Sequence, residues 1–312
     1  MKKRHILIIT LLVVIGVPVL IWGHRDIPLE VLKERYANAD SRFVDIDGMP
    51  VHYRVEGNPA DTIPLLLLHG TGSSLHTWDG WVQEMKSERR IIRMDLPAFG
   101  LTGPASTHEY TPELYQRVVI ALLDEIGISR VDIAGNSLGG HIAWYTALKN
   151  PSRVRKLVLI DAVGYPLEKS DRPIAFKLAT LPVLNKLLTF ITPRSVVEQS
   201  VKDVYADDSR VTDELVQRYF ELSLRPGNRQ AFIDRSRPFE VDSAFAQIPT
   251  ITHPTLILWG AEDYFVPIAM ARAFERDLPN DTLVIVPNAG HVPMEELPEQ
   301  TAEIVTGFLS KN

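Results

Sequence analysis

Residues 132–142 read DIAGNSLGGHI. An apolar run leads into them, and the serine at 137 has glycines two places to either side. So many small residues would weaken a helix interior, and an ordinary surface loop has no need of them. A sharp strand-to-helix turn does need them. With Ser137 at its apex, only small neighbours avoid clashes, and the hydroxyl projects from the end of a sheet. The N-terminus of the following helix then lies under any negative charge that develops there. A bare Gly-x-Ser-x-Gly occurs by chance, so the reading depends on what stands before and after it.

Around this stretch, short runs rich in Val, Ile and Leu recur: 63–70, 89–95, 130–135, 156–161, 255–260 and 282–287. Continuous apolar runs bounded by turn residues are what strands buried on both faces look like. Helical patterns alternate with them. TPELYQRVVIALLDEIG has helical periodicity, Thr111 as N-cap and Pro112 in the first turn. SLGGHIAWYTALKN is a second helix, stopped at Asn150-Pro151. The pattern predicts an α/β protein with a mostly parallel sheet between two helical layers. Residues 41–57 alternate about Asp47-Gly48 and predict a β-hairpin, while 25–41 predict a polar tether or an amphipathic helix. From Pro166 to Gln247 the strands stop and helical patterns take over, so this stretch is expected to be an insertion above the sheet. The expected organisation is 1–24 as an anchor, 25–165 as the first part of the core, 166–247 as a helical cap and 248–312 as the second part of the core.

A serine hydroxyl is a poor nucleophile at neutral pH and needs a base. Of nine histidines, His291, in VPNAGHVPMEE, follows the last strand run on the sheet edge that bears Ser137. The base needs a carboxylate to fix its tautomer. Asp263, in WGAEDYFVP, follows the penultimate strand on the same edge. Asp161, after KLVLI, is a second candidate acid, more suited to a structural hydrogen bond; Glu262 would point away. The oxyanion formed on attack needs backbone N–H donors. Leu138 supplies one, and Thr71, in LLLLHGTGSS, is expected to supply the other, Gly70 and Gly72 allowing close approach. His69 is expected to hold that loop by hydrogen bonds, His141 to pack or be solvated, and His76 and Trp78 to line the pocket or the core. The remaining histidines show no paired ligand spacing, so no metal and no cofactor is expected.

With these residues in place, residues 42–312 resemble the α/β-hydrolase superfamily: HGTG, DLPAFGLTG, GNSLGG, GAED and AGH occur in family order. The resemblance implies an eight-stranded sheet with a cap inserted after the sixth strand. The overall look is similar to membrane-bound monoacylglycerol lipases and Moraxella-type bacterial lipases. Ala98 stands where relatives usually carry glycine, with little consequence expected.

The chain has 312 residues, 45% hydrophobic and 23% charged, with net charge −6 and no cysteine. Thiolate chemistry and disulfides are thereby excluded, and no nucleic-acid partner is expected. MKKRH precedes an apolar run from Ile6 to Trp22, which as a helix would span roughly 26 Å, near the ~30 Å of a bilayer core. Without an A-x-A site it predicts an uncleaved signal anchor over a cleaved peptide, with the catalytic domain on the extracytoplasmic side. The expected activity is serine carboxylic-ester hydrolysis of a lipophilic ester such as a monoacylglycerol. The alternatives are C–C or amide hydrolysis, acyl transfer or perhydrolysis by the same triad, and a non-catalytic binding protein. The cap's apolar residues (Phe176, Leu178, Leu181, Leu184, Leu187, Phe190) suit lid packing, an acyl wall or bilayer contact.

Overall fold

Leu65–Leu68 shows how the sheet forms: all four leucines are inaccessible to solvent, and their side chains alternate between two cores. A computed structural model of the chain describes residues 23–166, 189–236 and 243–311. Its sheet comprises β1 (Ser41–Ile46), β2 (Met49–Gly57), β3 (Leu65–Leu68), β4 (Arg90–Met94), β5 (Val131–Asn136), β6 (Val154–Ile160), β7 (Thr255–Gly260) and β8 (Asp281–Val286). The spatial order is β1-β2-β4-β3-β5-β6-β7-β8. β2 pairs antiparallel with β1 and β4, and every later pair is parallel. The hairpin closes at Asp47 (φ 55°) and Gly48 (φ 77°), the left-handed pair that a two-residue turn requires.

Leu66, Leu68, Ile133, Leu159 and Ile257 face one core with residues of helices α3 (Pro112–Glu125), α4 (Leu138–Lys149) and α8 (Ile268–Asp277). Leu65, Leu67, Ala134, Val158 and Leu256 face the other with α2 (Asp79–Met85), α9 (Pro293–Glu296) and α10 (Pro298–Ser310). Thr111 caps α3, accepting from the Leu114 N–H at 3.2 Å. The six apolar runs are thus β3 to β8, which leaves their carboxyl ends, where ligands bind in open α/β sheets, along one edge.

The stretch 25–41 contains a short helix, α1 (Leu29–Tyr36), whose Leu32 is buried with Leu101 and Leu222. Just before it, Gly23 bridges Ile191, and the Arg229 guanidinium donates to the His24 carbonyl and to Asp26. Between β6 and β7 the described residues form α5 (Arg194–Lys202), α6 (Asp213–Ser223), α7 (Asn228–Arg235) and a 3₁₀ segment, Ser243–Thr250, with no strand of the sheet among them.

The expected anchor over 1–24 falls on residues 1–22, outside the described residues, apart from its last two. Among the described residues no helix is long and apolar enough to cross a membrane. Phe176, Leu178, Leu181, Leu184 and Leu187 also lie outside them, while Phe190 is exposed. Ala98, for which little consequence was expected, is buried at φ 84°. Alanine there carries a Cβ penalty of about 1 kcal/mol that glycine avoids.

Candidate active site

Between β5 and α4 the chain reverses at Ser137, which takes φ 54° and ψ −113°. A non-glycine residue in this region is strained, and surrounding contacts must hold it there. The Ser137 N–H donates to the Ile160 carbonyl at 3.0 Å, and the Ser137 carbonyl accepts from Val163 at 3.2 Å and from His141 at 3.1 Å. The glycines permit the crossing. A Cβ on Gly135 would lie 2.1 Å from the Gly139 carbonyl oxygen, and one on Gly139 would lie 2.1 Å from that of Leu68.

The loops after β7 and β8 bring Asp263 and His291 together. Asp263 Oδ2 is 2.8 Å from His291 Nδ1, and Asp263 Oδ1 accepts from the Phe265 and Val266 N–H groups at 2.7 and 3.1 Å. Burial alone would raise the Asp263 carboxyl. The charge and hydrogen bond of His291, with the two backbone donors, outweigh it and hold the group below the usual carboxylate range. The Phe265 ring stacks on the imidazole at 5.5 Å. No hydrogen bond joins the Ser137 hydroxyl to His291 among the described residues. The elbow and the histidine loop are joined instead by Asn136, whose Nδ2 donates to the His291 carbonyl at 2.8 Å.

Asp161, the second candidate acid, does not take the histidine's Nδ1. It is inaccessible to solvent, its backbone sits at φ 44°, and its Oδ1 accepts from the Gly260 N–H at 2.9 Å. One carboxylate oxygen each of Asp161 and Asp263 and one ring nitrogen of His291 all lie within 4.8 Å of one another. Burial first, and then the Asp263 charge, push Asp161 well above the usual carboxylate range, which favours its protonated form beside the ionised Asp263. An acid raised on folding costs stability as pH climbs from its unfolded value, about 3.9, toward the raised one. Asp161→Asn removes that cost and keeps an N–H for Asp263. The variant should therefore melt above wild type at pH 7–8, with the gap shrinking below pH 4, and kcat/KM should stay within about tenfold. Melting curves across pH check this; a pH-independent gap would show that Asp161 is already ionised.

Gly70 packs against the elbow, where an added Cβ would be 3.2 Å from that of Ser137. This places Thr71 beside the serine, while α4 starts at Leu138, whose N–H has no intrahelical acceptor. His69 is inaccessible; its Nδ1 lies 2.7 Å from the Gly70 carbonyl, and its Nε2 accepts from the Leu96 N–H at 2.9 Å. It holds the loop, as expected. His141 stacks on Trp144 at 4.8 Å, and Trp78 is core.

Other residues at the site gave no sequence signal. Arg235, at the end of α7, reaches Thr71 Oγ1 at 2.5 Å. Glu296 is buried and accepts from the backbone N–H groups of Gly290, Ala206 and Asp207 at 2.8–2.9 Å. The His291 N–H donates to the Val204 carbonyl at 2.8 Å. On the far side of the sheet edge, His52 Nδ1 lies 2.7 Å from Asp95 Oδ2, and Asp95 Oδ1 accepts from the Leu75 N–H.

The sheet order, the serine elbow and the acid–histidine pair together narrow the family, and one comparison decides it: the family model described as alpha/beta hydrolase fold matches residues 63–298. The chain belongs to the alpha/beta hydrolase fold family. This hydrolase is 30% identical to the 2-hydroxy-6-oxononadienedioate/2-hydroxy-6-oxononatrienedioate hydrolase of Cupriavidus pinatubonensis, over 86% of its own chain and 95% of that protein. A crystal structure of a bacterial membrane phospholipase A superposes with TM-score 0.74 at 26% identity, covering 99% of this chain and 98% of that one. A meta-cleavage product hydrolase of Pseudomonas fluorescens superposes with TM-score 0.72 at 24% identity, covering 86% and 96%, which speaks to the fold. The narrower likeness to monoacylglycerol lipases and Moraxella-type lipases is not carried by these relatives.

Proposed function

We propose that this hydrolase is a serine hydrolase working through an acyl-enzyme, and that its substrate is a carboxylic ester of a lipid. In this reading Ser137 attacks the carbonyl while His291 takes its proton through Nε2, Nδ1 being held by Asp263. The N–H groups of Leu138 and Thr71 hold the oxyanion. His291 then protonates the leaving alkoxide and activates water to clear the acyl group. Neither cofactor nor metal takes part. The observation that carries the lipid ester is the end-to-end match to a membrane phospholipase A. Membrane attachment through residues 1–24, with the catalytic domain on the extracytoplasmic side, belongs to the same proposal.

A second reading, C–C bond hydrolysis of ring-cleavage dienoates, is favoured by the curated relatives. Several of them, 29–31% identical, are named as hydrolases of 2-hydroxymuconate semialdehyde or of 2-hydroxy-6-oxo dienoates. The Arg235 guanidinium beside the Thr71 loop would suit a substrate bearing a carboxylate. On curated relatives alone, the dienoate stands ahead of the ester.

The deciding measurement sets the full-length protein in neutral detergent against p-nitrophenyl esters from C2 to C16, a monoacylglycerol, a lysophospholipid and a 2-hydroxy-6-oxo-dienoate. An ester hydrolase should favour its best ester by about a hundredfold in kcat/KM, near 2.7 kcal/mol of differential transition-state binding. The reverse preference would establish the dienoate reading. Turnover of neither, with fluorophosphonate labelling of Ser137, would keep the nucleophile and discard both substrate classes.

A further inference from the structure

Away from Ser137, a crevice of about 620 Å³ opens between α1, α2 and α6, and four arginines stand on its walls: Arg35, Arg54, Arg210 and Arg218. Three acids share these walls, and two are already engaged. Asp79 accepts from Arg93, and Glu295 accepts from Arg218 at 2.7 Å and from the Thr77 and Tyr219 hydroxyls at 2.9 Å. Glu214 is exposed at the start of α6. Arg35 is paired with Glu221, and Arg210 stands 3.6 Å from Asp207.

Arg54 is left over. It is 4% exposed, donating from Nε to Ser41 Oγ at 3.0 Å and from Nη2 to the Tyr36 carbonyl at 2.7 Å. Its Nη2 also lies 3.1 Å from His76 Nε2; among the described residues no carboxylate is within ion-pair distance, the charges of Asp79, Glu56 and Asp95 acting on it only from farther off, and its Nη1 makes no hydrogen bond. A guanidinium cannot shed its proton to escape burial, and an unpaired buried charge is costly. Arg218, which also lines the crevice, has its Nε buried without an acceptor among the described residues, so its guanidinium too is only partly satisfied. Between the two lies His76, pushed down to about 4 by burial and by the charges of Arg54 and Arg218, against the pull of Asp95 and Asp79. Both guanidiniums therefore bear on one neutral imidazole, and they face the same crevice. Tyr205 contributes a phenol from the wall, also without a hydrogen bond among the described residues.

We propose that this crevice binds a phosphate oxyanion, held by Arg54 Nη1 and the Arg218 guanidinium with the Tyr205 hydroxyl as a third donor. Guanidinium forks match phosphate geometry. The crevice also has room for more than orthophosphate, so the phosphate of a phospholipid headgroup satisfies the same chemistry. None of Ser137, Asp263 and His291 lines it, and the proposal does not depend on which bond the enzyme cleaves.

Calorimetric titration of the full-length protein in neutral detergent, with orthophosphate against chloride at equal ionic strength, tests it. One saturable site is expected, weakened about tenfold or more by Arg218→Gln, as loss of a charge-assisted hydrogen bond implies. Arg54→Gln should abolish it, and Arg272→Gln, on the exposed face of α8, should leave it unchanged. Arg218→Gln decides the matter if the more deeply buried Arg54 variant does not fold. Displacement by glycerophosphoglycerol would identify a headgroup as the source, and failure to displace would identify free phosphate. No saturable binding, wild-type affinity in Arg218→Gln, or acetate binding as tightly as phosphate would overturn the proposal.

Discussion

Ser137→Ala should lower kcat/KM for the best substrate by about four to six orders of magnitude, because in the proposed mechanism the nucleophile and its base act as a unit. Stability should barely move. The hydroxyl makes no hydrogen bond among the described residues, and alanine meets the same φ of 54° with the same Cβ, so a change within about 0.5 kcal/mol is expected. Activity on the preferred substrate and a thermal melt, taken on one preparation, check both halves. Retained activity would remove Ser137 from the chemistry. A large drop in melting temperature would mean that the hydroxyl is a structural group.

Gly139→Val should show the opposite pattern, losing stability and activity together. Its Cβ would sit 2.1 Å from the Leu68 carbonyl oxygen and 2.5 Å from the carbonyl carbon. These are backbone atoms at the end of β3, so no side chain can swing aside. Either β3 or the first turn of α4 must shift, at about 3 kcal/mol or more, which is on the order of 6–10 °C in melting temperature. Any such shift also moves the Leu138 N–H, so turnover falls with stability. Gly307→Ala serves as the control. It lies within α10 with nothing within 4 Å of an added Cβ, and should stabilise by up to about 1 kcal/mol. If both substitutions have similar effects, the close approach at the elbow is not what requires Gly139.

Much of this was legible in the sequence, for reasons that differ by residue. β3 to β8 are short apolar runs between turn residues, a local pattern that survives any tertiary context. Ser137 was legible because a sharp turn leaves its trace in the glycines around it. His291 and Asp263 followed from their places after strands on one edge. Asn136 and Glu296 were not legible. Each acts on backbone atoms far along the chain, 155 residues away for Asn136 and about 90 for Glu296 with Ala206, and such pairings have no sequence period. His52 and Asp95 escaped for the same reason. Asp161 and Asp263 share an edge and a residue type, so only geometry shows which takes the histidine. Ala98 was read as inconsequential because φ is invisible in a sequence.

The tie between His291 and the segment after α5 bears on how this architecture can be recombined. The His291 N–H ends on the Val204 carbonyl, and Glu296 spans Gly290, Ala206 and Asp207. The residues that hold His291, the proposed base, therefore belong partly to the insertion and not to the sheet. Grafting the insertion of another family member between β6 and β7 would take away the acceptor for that N–H along with two of the carboxylate's donors. A chimera that keeps residues 204–207 from this chain retains the support of its own histidine, whereas one that replaces them must rebuild it.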